Sequence, residues 1–163
     1  MNAWRCNATR CWRTIAVVAA GAVLTASFAA RTAAAPFPAQ HFSLTSVGGE
    51  SLQKGFVEVI HPDGPEVYAR HVYALNGAGG NQSYEVVISI WASSPTCVET
   101  PTFVLPVAVV DTNASGNGHA NVVFEPELLD TLGLRDLTVG GTVTLSRDGS
   151  PAYTTGCRVM ELD

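Results

Sequence analysis

Hydrophobic and polar residues alternate through most of the chain after residue 40, and this period of two predicts β-strands. The pattern is clearest near the C terminus, where Val143 and Leu145 alternate with hydroxyl residues before a turn at 148–151 that contains glycine and proline. A second alternating run follows and places Tyr153, Cys157 and Val159 on one face. The sequence therefore predicts a closing β-hairpin with Cys157 on its inward face.

Further alternating segments upstream predict the other strands. They include a short strand at 42–44, a strand over 51–60 that ends in a turn at 61–65, and a strand with Val67, Ala69, His71, Tyr73 and Leu75 on one face. The run Tyr84, Val86, Ile88 and Ile90 is accompanied by apolar residues on the opposite face, including Trp91. A strand that is apolar on both faces is predicted to lie in the centre of a sheet.

The second half of the domain adds three more predicted elements. Phe103, Leu105, Val107 and Val109 form one apolar face, and Pro106 within the run indicates an edge strand or a bulge because proline cannot donate to the ladder. Residues 119–125 form another strand. Residues 126–133 predict the one helix, with proline suited to the first position, acids near the first turn and Gly133 suited to the end.

Taken together, these elements predict an all-β fold. Seven or eight strands separated by turns at intervals of about 8 to 15 residues are typical of a single antiparallel β-sandwich of the Ig-like or Greek-key type. We expect one short helix within it. The sequence shows no internal repeat and no heptad pattern that would indicate a different fold.

The N terminus predicts export. Arg5, Arg10 and Arg13 precede a continuous apolar segment at 14–30, and small residues suited to cleavage follow it. We therefore assign 1–35 to a signal peptide, 36–40 to a flexible leader and 41–163 to the β-sandwich, and expect a secreted, extracellular protein. An uncleaved N-terminal membrane anchor is the alternative, because the apolar segment is long for a signal.

Removal of the signal changes both the charge and the cysteine content. The chain from residue 36 keeps five basic and all fourteen acidic residues, a net charge of −9. Such a charge disfavours nucleic acid and anionic membrane surfaces as partners. Cys6 and Cys11 leave with the signal, so Cys97 and Cys157 are predicted to form one disulfide in an oxidising compartment.

Asp111, Asn113 and Ser115 are weak calcium candidates. Together with Gly116 they match the first half of a calcium-binding loop, D-x-[DN]-x-[DN]-G, with serine in the third ligand place. The bidentate acid expected at the twelfth position is replaced by Val122. A hairpin turn that uses Asp, Asn and Gly to relieve backbone strain is therefore the preferred interpretation.

Other catalytic and binding patterns are weak. His41, His61, His71 and His119 are scattered without metal-ligand spacing, and no G-x-S-x-G motif occurs. We predict no catalytic residue and no cofactor. His71 shares a strand face with apolar residues, where a histidine is usually a hydrogen-bonded structural group. Most aromatic residues of the predicted domain lie in apolar alternation, where core packing is expected.

The chain resembles uncharacterised secreted β-sandwich proteins of actinobacterial type. The shared features are the alanine-rich signal, the turn Thr112-Asn113-Ala114-Ser115-Gly116-Asn117-Gly118 and the late cysteine in the closing hairpin. The resemblance implies that the protein is exported and has a β-sandwich fold, and it implies no particular activity. We expect a non-enzymatic structural or interaction domain whose partner is a protein or cell-envelope component. The alternative is a small-ligand, glycan or calcium-binding module that uses the loops at 76–82 and 111–118; hydrolytic chemistry has the least support.

Overall fold

Two antiparallel sheets face each other across one hydrophobic core in the computed structural model, as the alternation predicts. The structure describes residues 39–60, 69–135 and 137–162. The predicted signal peptide (1–35), the turn at 61–65 and Val67 lie outside the described residues. In chain order the elements are β1 (Ala39–Ser43), β2 (Thr45–Ser46), β3 (Lys54–Ile60), β4 (Ala69–Asn76), β5 (Ser83–Trp91), β6 (Phe103–Asp111), β7 (Gly118–Phe124), α1 (Pro126–Leu132), β8 (Leu137–Arg147), β9 (Ser150–Thr154) and β10 (Arg158–Leu162).

The four-stranded sheet has the order β1-β3-β4-β7. The six-stranded sheet has the order β2-β9-β8-β5-β6, and β10 also pairs with β8. The predicted central strand, β5, lies between β8 and β6 in the six-stranded sheet, as expected. The first strand begins at Ala39, so Ala39 and Gln40 of the segment assigned to the leader pair with β3.

The core is built from the alternating positions of the inner faces. On β4, Ala69, His71, Tyr73 and Leu75 are buried while the intervening side chains are more exposed, as predicted. The same holds for Tyr84, Val86, Ile88 and Ile90 on β5, and for Val143 and Leu145 on β8. Packing of these two inner faces joins the sheets into one domain.

Pro106 lies on an edge strand and beside a bulge, so both interpretations of this proline are confirmed. β6 is the last strand of the six-stranded sheet, and its register with β5 shifts between Val86 and Val87. Because a bulge adds one residue, the side chains beyond it change face. Val110 is fully buried and Val109 is 55% exposed, so the prediction that Val109 continues the buried face is wrong.

The closing hairpin forms, but its second arm is broken. β9 and β10 lie along the same edge of β8 and are separated by residues 155–157. Thr155 fills the break, because its N–H donates to the Val143 carbonyl at 3.0 Å and its hydroxyl accepts the Val143 N–H at 3.0 Å. The break shifts the alternation, so Tyr153 is buried whereas Cys157 and Val159 are exposed. The predicted common inward face of these three residues is therefore wrong.

The predicted disulfide is present. Cys97 and Cys157 are joined across a sequence separation of 60. The bond ties the segment after β5 to the start of β10. That segment lies over the outer face of the sheet, where the Trp91 Nε1 donates to the Glu99 carbonyl at 2.6 Å and the Gly140 N–H donates to the Ser94 carbonyl at 3.0 Å.

The predicted helix is also confirmed. α1 begins at Pro126, carries Glu127 in its first turn and ends at Gly133, whose φ of 65° is left-handed. Leu129 and Leu134 are buried and fix the helix against the sandwich. Among the residues that the structure describes, no helix has the length and apolar character needed to cross a membrane.

Candidate functional site

The two loops proposed for ligand binding meet at one end of the sandwich, which we call the loop end and define as residues 77–82 and 112–117. The loops connect β4 to β5 and β6 to β7. Ala78 and Asn81 donate their N–H groups to the carbonyls of Gly116 and Asn113, each at 3.0 Å. A Cβ at Gly116 would lie 2.0 Å from the Ala78 carbonyl oxygen, so the two backbones are in direct contact. The loops therefore form one interlocked unit.

Two of the calcium candidates, Asn113 and Ser115, lie in this unit, and Asp111 directly precedes it at the end of β6. The Asn113 side-chain oxygen accepts the N–H groups of Ser115 at 2.9 Å and Asn117 at 3.0 Å, the geometry of a tight Asx turn. Asp111 accepts a hydrogen bond from the Ser83 hydroxyl. Within the described ranges, no group of three or more His, Cys, Asp or Glu side chains is placed to hold a metal. Calcium binding by Asp111, Asn113 and Ser115 stays a prediction.

A chain of hydrogen bonds supports the loop end from below. The Gly79 N–H donates to the Tyr84 hydroxyl at 3.1 Å, the two phenol oxygens of Tyr84 and Tyr153 are 3.3 Å apart, and Tyr153 donates to the Ser51 carbonyl at 2.8 Å. Burial, reinforced by the hydrogen bond to Tyr84, raises the pKa of Tyr153. This phenol therefore stays neutral at physiological pH and acts as a structural link.

An ion pair lies beside these phenols. Arg147 contacts both carboxylate oxygens of Glu50, at 2.7 and 3.4 Å, and the two side chains are 33% and 25% exposed. Bidentate pairs of this kind fix orientation as well as charge. Because Glu50 lies in the connection between β2 and β3 and Arg147 ends β8, the pair fixes this connection to the end of β8. The polar groups here act on one another and hold the loops in place.

The opposite end of the sandwich contains an apolar cleft, located between the inner faces of the sheets and α1. It has a volume of about 60 Å³. The cleft is defined by its lining residues, which are Gln40, Val59, Ala69, His71, Ile88, Ile90, Leu105, Phe124, Leu128, Leu129, Leu132, Met160 and Leu162. No charged carboxylate, ammonium or guanidinium group is among these lining residues.

His71 is the buried polar residue of the cleft. Its Nδ1 lies 3.0 Å from the Tyr73 hydroxyl, and its ring meets the Phe124 ring edge-to-face with centroids 4.6 Å apart. Burial also raises the pKa of Tyr73, so this phenol stays neutral. The expectation that His71 is a hydrogen-bonded structural residue on an apolar face is confirmed. His71, whose ring lies within hydrogen-bond distance of Tyr73, gives the cleft one buried polar group.

Two other described histidines lie away from this site. His41 stacks on Phe56 with ring centroids 4.9 Å apart, on the outer face of the four-stranded sheet. His119 is exposed on β7, and His61 lies outside the described residues. Of the three histidines that the structure describes, His71 alone lines the cleft.

Sequence reasoning missed the cleft because each lining residue, taken alone, is typical of core. Strands of both sheets and the helix supply these side chains, and only the fold brings them together. One sequence signal was available in the helix. The two-turn helix carries three leucines, Leu128, Leu129 and Leu132, which is more apolar surface than packing of one helix face against the core requires. Of the three, only Leu129 is buried. An excess of leucine on a short helix indicates a second apolar contact.

The chain matches no protein-family model, no curated protein and no solved structure. The contacts at the two ends of the sandwich therefore decide which end is the better candidate for a binding site. At the loop end, the Asn113 side-chain oxygen and the N–H groups of Ala78 and Asn81 form hydrogen bonds within the loops. The cleft offers apolar surface, the polar side chains of Gln40 and His71, and an opening, which are features of a binding site for an apolar group.

Proposed function

We propose that this protein is an exported, non-enzymatic binding domain that holds an apolar group of its partner in the cleft. The observation that carries the proposal is the cleft itself: a concave site between two sheets, lined by aliphatic side chains and furnished with a hydrogen-bonded histidine. Ligand sites in proteins are commonly of this composition, mostly apolar with a few fixed polar groups.

Burial of an apolar group in the cleft is favourable for two reasons. Filling apolar volume of about 60 Å³ contributes on the order of 1 kcal/mol by the scaling found for cavities in protein cores. Removing the ligand's own apolar surface from water adds about 0.8 kcal/mol for each buried methylene. A group of a few carbons therefore gains enough to bind weakly by itself, and more strongly when the rest of the partner makes further contacts.

Export is part of the proposal. It is supported by the predicted signal peptide and by the disulfide, since disulfides persist in oxidising compartments. Binding at the loop end is the second candidate, and it is favoured by the meeting of the 76–82 and 111–118 loops. The Asx turn and the cross-loop hydrogen bonds count against it, because a ligand there would compete with contacts that hold the loops together.

Thermal melting followed by circular dichroism tests the proposal. Protein expressed from the full-length chain is melted with a small apolar ligand, 1-pentanol, and separately with calcium and with EDTA. We expect a rise in Tm with 1-pentanol at concentrations where an unrelated β-sandwich shows none, because a ligand of the folded state stabilises it. A shift with calcium alone would instead support the loop end, and no shift with 1-pentanol would contradict the proposal.

A pair of matched variants locates the binding site. Ala69→Val adds methyl groups to a side chain that lines the cleft, whereas Ala152→Val makes the same change in the core away from it. We expect Ala69→Val to remove the effect of 1-pentanol and Ala152→Val to keep it. Equal responses in the two variants would show that the ligand binds elsewhere.

A further inference from the structure

We infer that the cleft accepts the end of a single aliphatic chain, carried by an uncharged or cationic amphiphile. This inference rests on the proposed function and adds the chemical class of the ligand. Three properties of the cleft support it: its volume, the chemistry and position of its walls, and the charge of the domain.

The volume of the cleft favours the end of an aliphatic chain over a ring as the bound group. A water-sized group occupies about 10 to 15 Å³ on this measure, so 60 Å³ holds about four or five methylene-sized groups. An engineered core cavity that binds benzene has a volume of about 150 Å³. An aromatic ring is therefore too large to enter fully, whereas the last carbons of an alkyl or acyl chain fit.

The walls favour the same ligand. Ile88 and Ile90 of the six-stranded sheet face Val59 and Ala69 of the four-stranded sheet across the cleft, and the helix closes a further side with its leucines. Packed sheets lie only about 10 Å apart, so the space between the backbones is a narrow slot. A linear chain can enter such a slot end-on without displacing either sheet.

The polar residues of the cleft determine which head group the ligand can carry next to its aliphatic chain. Gln40 lies on β1 at the edge of the four-stranded sheet and is half-buried. Its amide both donates and accepts hydrogen bonds, so it suits a hydroxyl, ester or amide oxygen. A carboxylate head group is disfavoured because no lysine or arginine lines the cleft and the chain from residue 36 has a net charge of −9.

A series of straight-chain alcohols tests the volume. We expect the dissociation constant, measured by isothermal titration on protein expressed from the full-length chain, to fall about fourfold for each added carbon while the chain is entering the cleft. Beyond about four or five carbons the gain should flatten, because later carbons remain outside. A constant gain through 1-octanol would overturn the inference, and so would tighter binding of cyclohexanol than of 1-hexanol.

The head group is tested at fixed chain length. We expect hexyltrimethylammonium and 1-hexanol to bind several-fold more tightly than hexanoate at low salt, with the difference shrinking at high salt as the charges are screened. Tighter binding of hexanoate would overturn the inference. Vesicles of a neutral phosphatidylcholine distinguish the source: retention of the protein on them, lost in Ala69→Val, would assign the chain to a membrane lipid, and binding only to the monomeric compounds would assign it to a free amphiphile.

The two proposals fail in different ways. If cyclohexanol or another ring raises the Tm and Ala69→Val removes that effect, the binding function stands and the chain-end inference is wrong. If every compound leaves the Tm unchanged in both the native protein and Ala152→Val, the binding function itself is wrong. Should Ala69→Val fail to fold, saturable methyl NMR shifts of Met160 and Ile88 on addition of 1-pentanol to the native protein provide the localisation to the cleft.

Discussion

The disulfide makes the most quantitative prediction of the structure. Cys97 and Cys157 close a loop with a sequence separation of 60, and the chain-entropy relation assigns such a loop about 4 kcal/mol of stability through restriction of the unfolded chain. Hydrogen bonds beside the disulfide hold the same segment of the chain to the sheet. Gly140 is held by the Ser94 carbonyl, and Trp91 by the Glu99 carbonyl. We therefore expect the double variant Cys97→Ser/Cys157→Ser to fold and to lose close to the full amount.

Urea unfolding followed by tryptophan fluorescence measures this loss. The double variant should unfold at a lower urea concentration, and its dependence on urea should steepen because the unfolded chain without the cross-link is more expanded. Native protein reduced by a phosphine should match the double variant, since Cys157 is exposed and accessible. A loss below about 1 kcal/mol would refute the argument, because it would mean that the closed loop barely restricts the unfolded state.

Three further predictions concern the loop end and the core. Gly116→Ala should cost several times more than Gly149→Ala in chemical unfolding: both glycines have positive φ, but only at Gly116 would the new methyl meet backbone, the Ala78 carbonyl oxygen. Tyr153→Phe should cost about 1 to 3 kcal/mol because it removes the donor to Ser51; an unchanged Tm would contradict the hydrogen-bond chain. The raised pKa of Tyr153 favours the neutral phenol in the folded state, so its contribution should be complete below the ordinary tyrosine value of 10.0 and decline as pH rises above it. Urea unfolding across that range should show this decline, and a smaller one in Tyr153→Phe.

Local pattern was sufficient to predict the two-sheet architecture, the short helix and the disulfide. These features depend on period-two alternation, on proline and glycine at the ends of α1, and on the two cysteines that lie outside the predicted signal peptide. The errors occurred where one residue interrupts a strand. The bulge beside Pro106 places the Val109 side chain on the exposed face of β6. The break at Thr155, between β9 and β10, places the Val159 side chain on the exposed face of β10. Period-two alternation in the sequence cannot show where side chains change face, because the residue that causes the change has no distinctive chemistry.

The candidate site was harder to predict than the fold. The two loops meet because both connect the same two strand pairs, β4 with β7 and β5 with β6. Which residues of the loops come together, such as Gly116 and Ala78, depends on how the two sheets pack. The cleft collects residues from both ends of the domain sequence, such as Gln40 and Met160. Its lining is chemically identical to core, and only the spacing of the assembled elements distinguishes a filled interior from a binding site.

The most direct test of the central claim is a methyl NMR titration of the full chain with 1-pentanol. The methyl groups of Met160, Ile88 and Leu105 line the cleft, whereas those of Val143 and Leu145 lie in the core outside its lining. Binding in the cleft predicts saturable shifts in the first group and none of comparable size in the second. Shifts confined to residues of the loop end, or shifts that grow linearly without saturation, would contradict it.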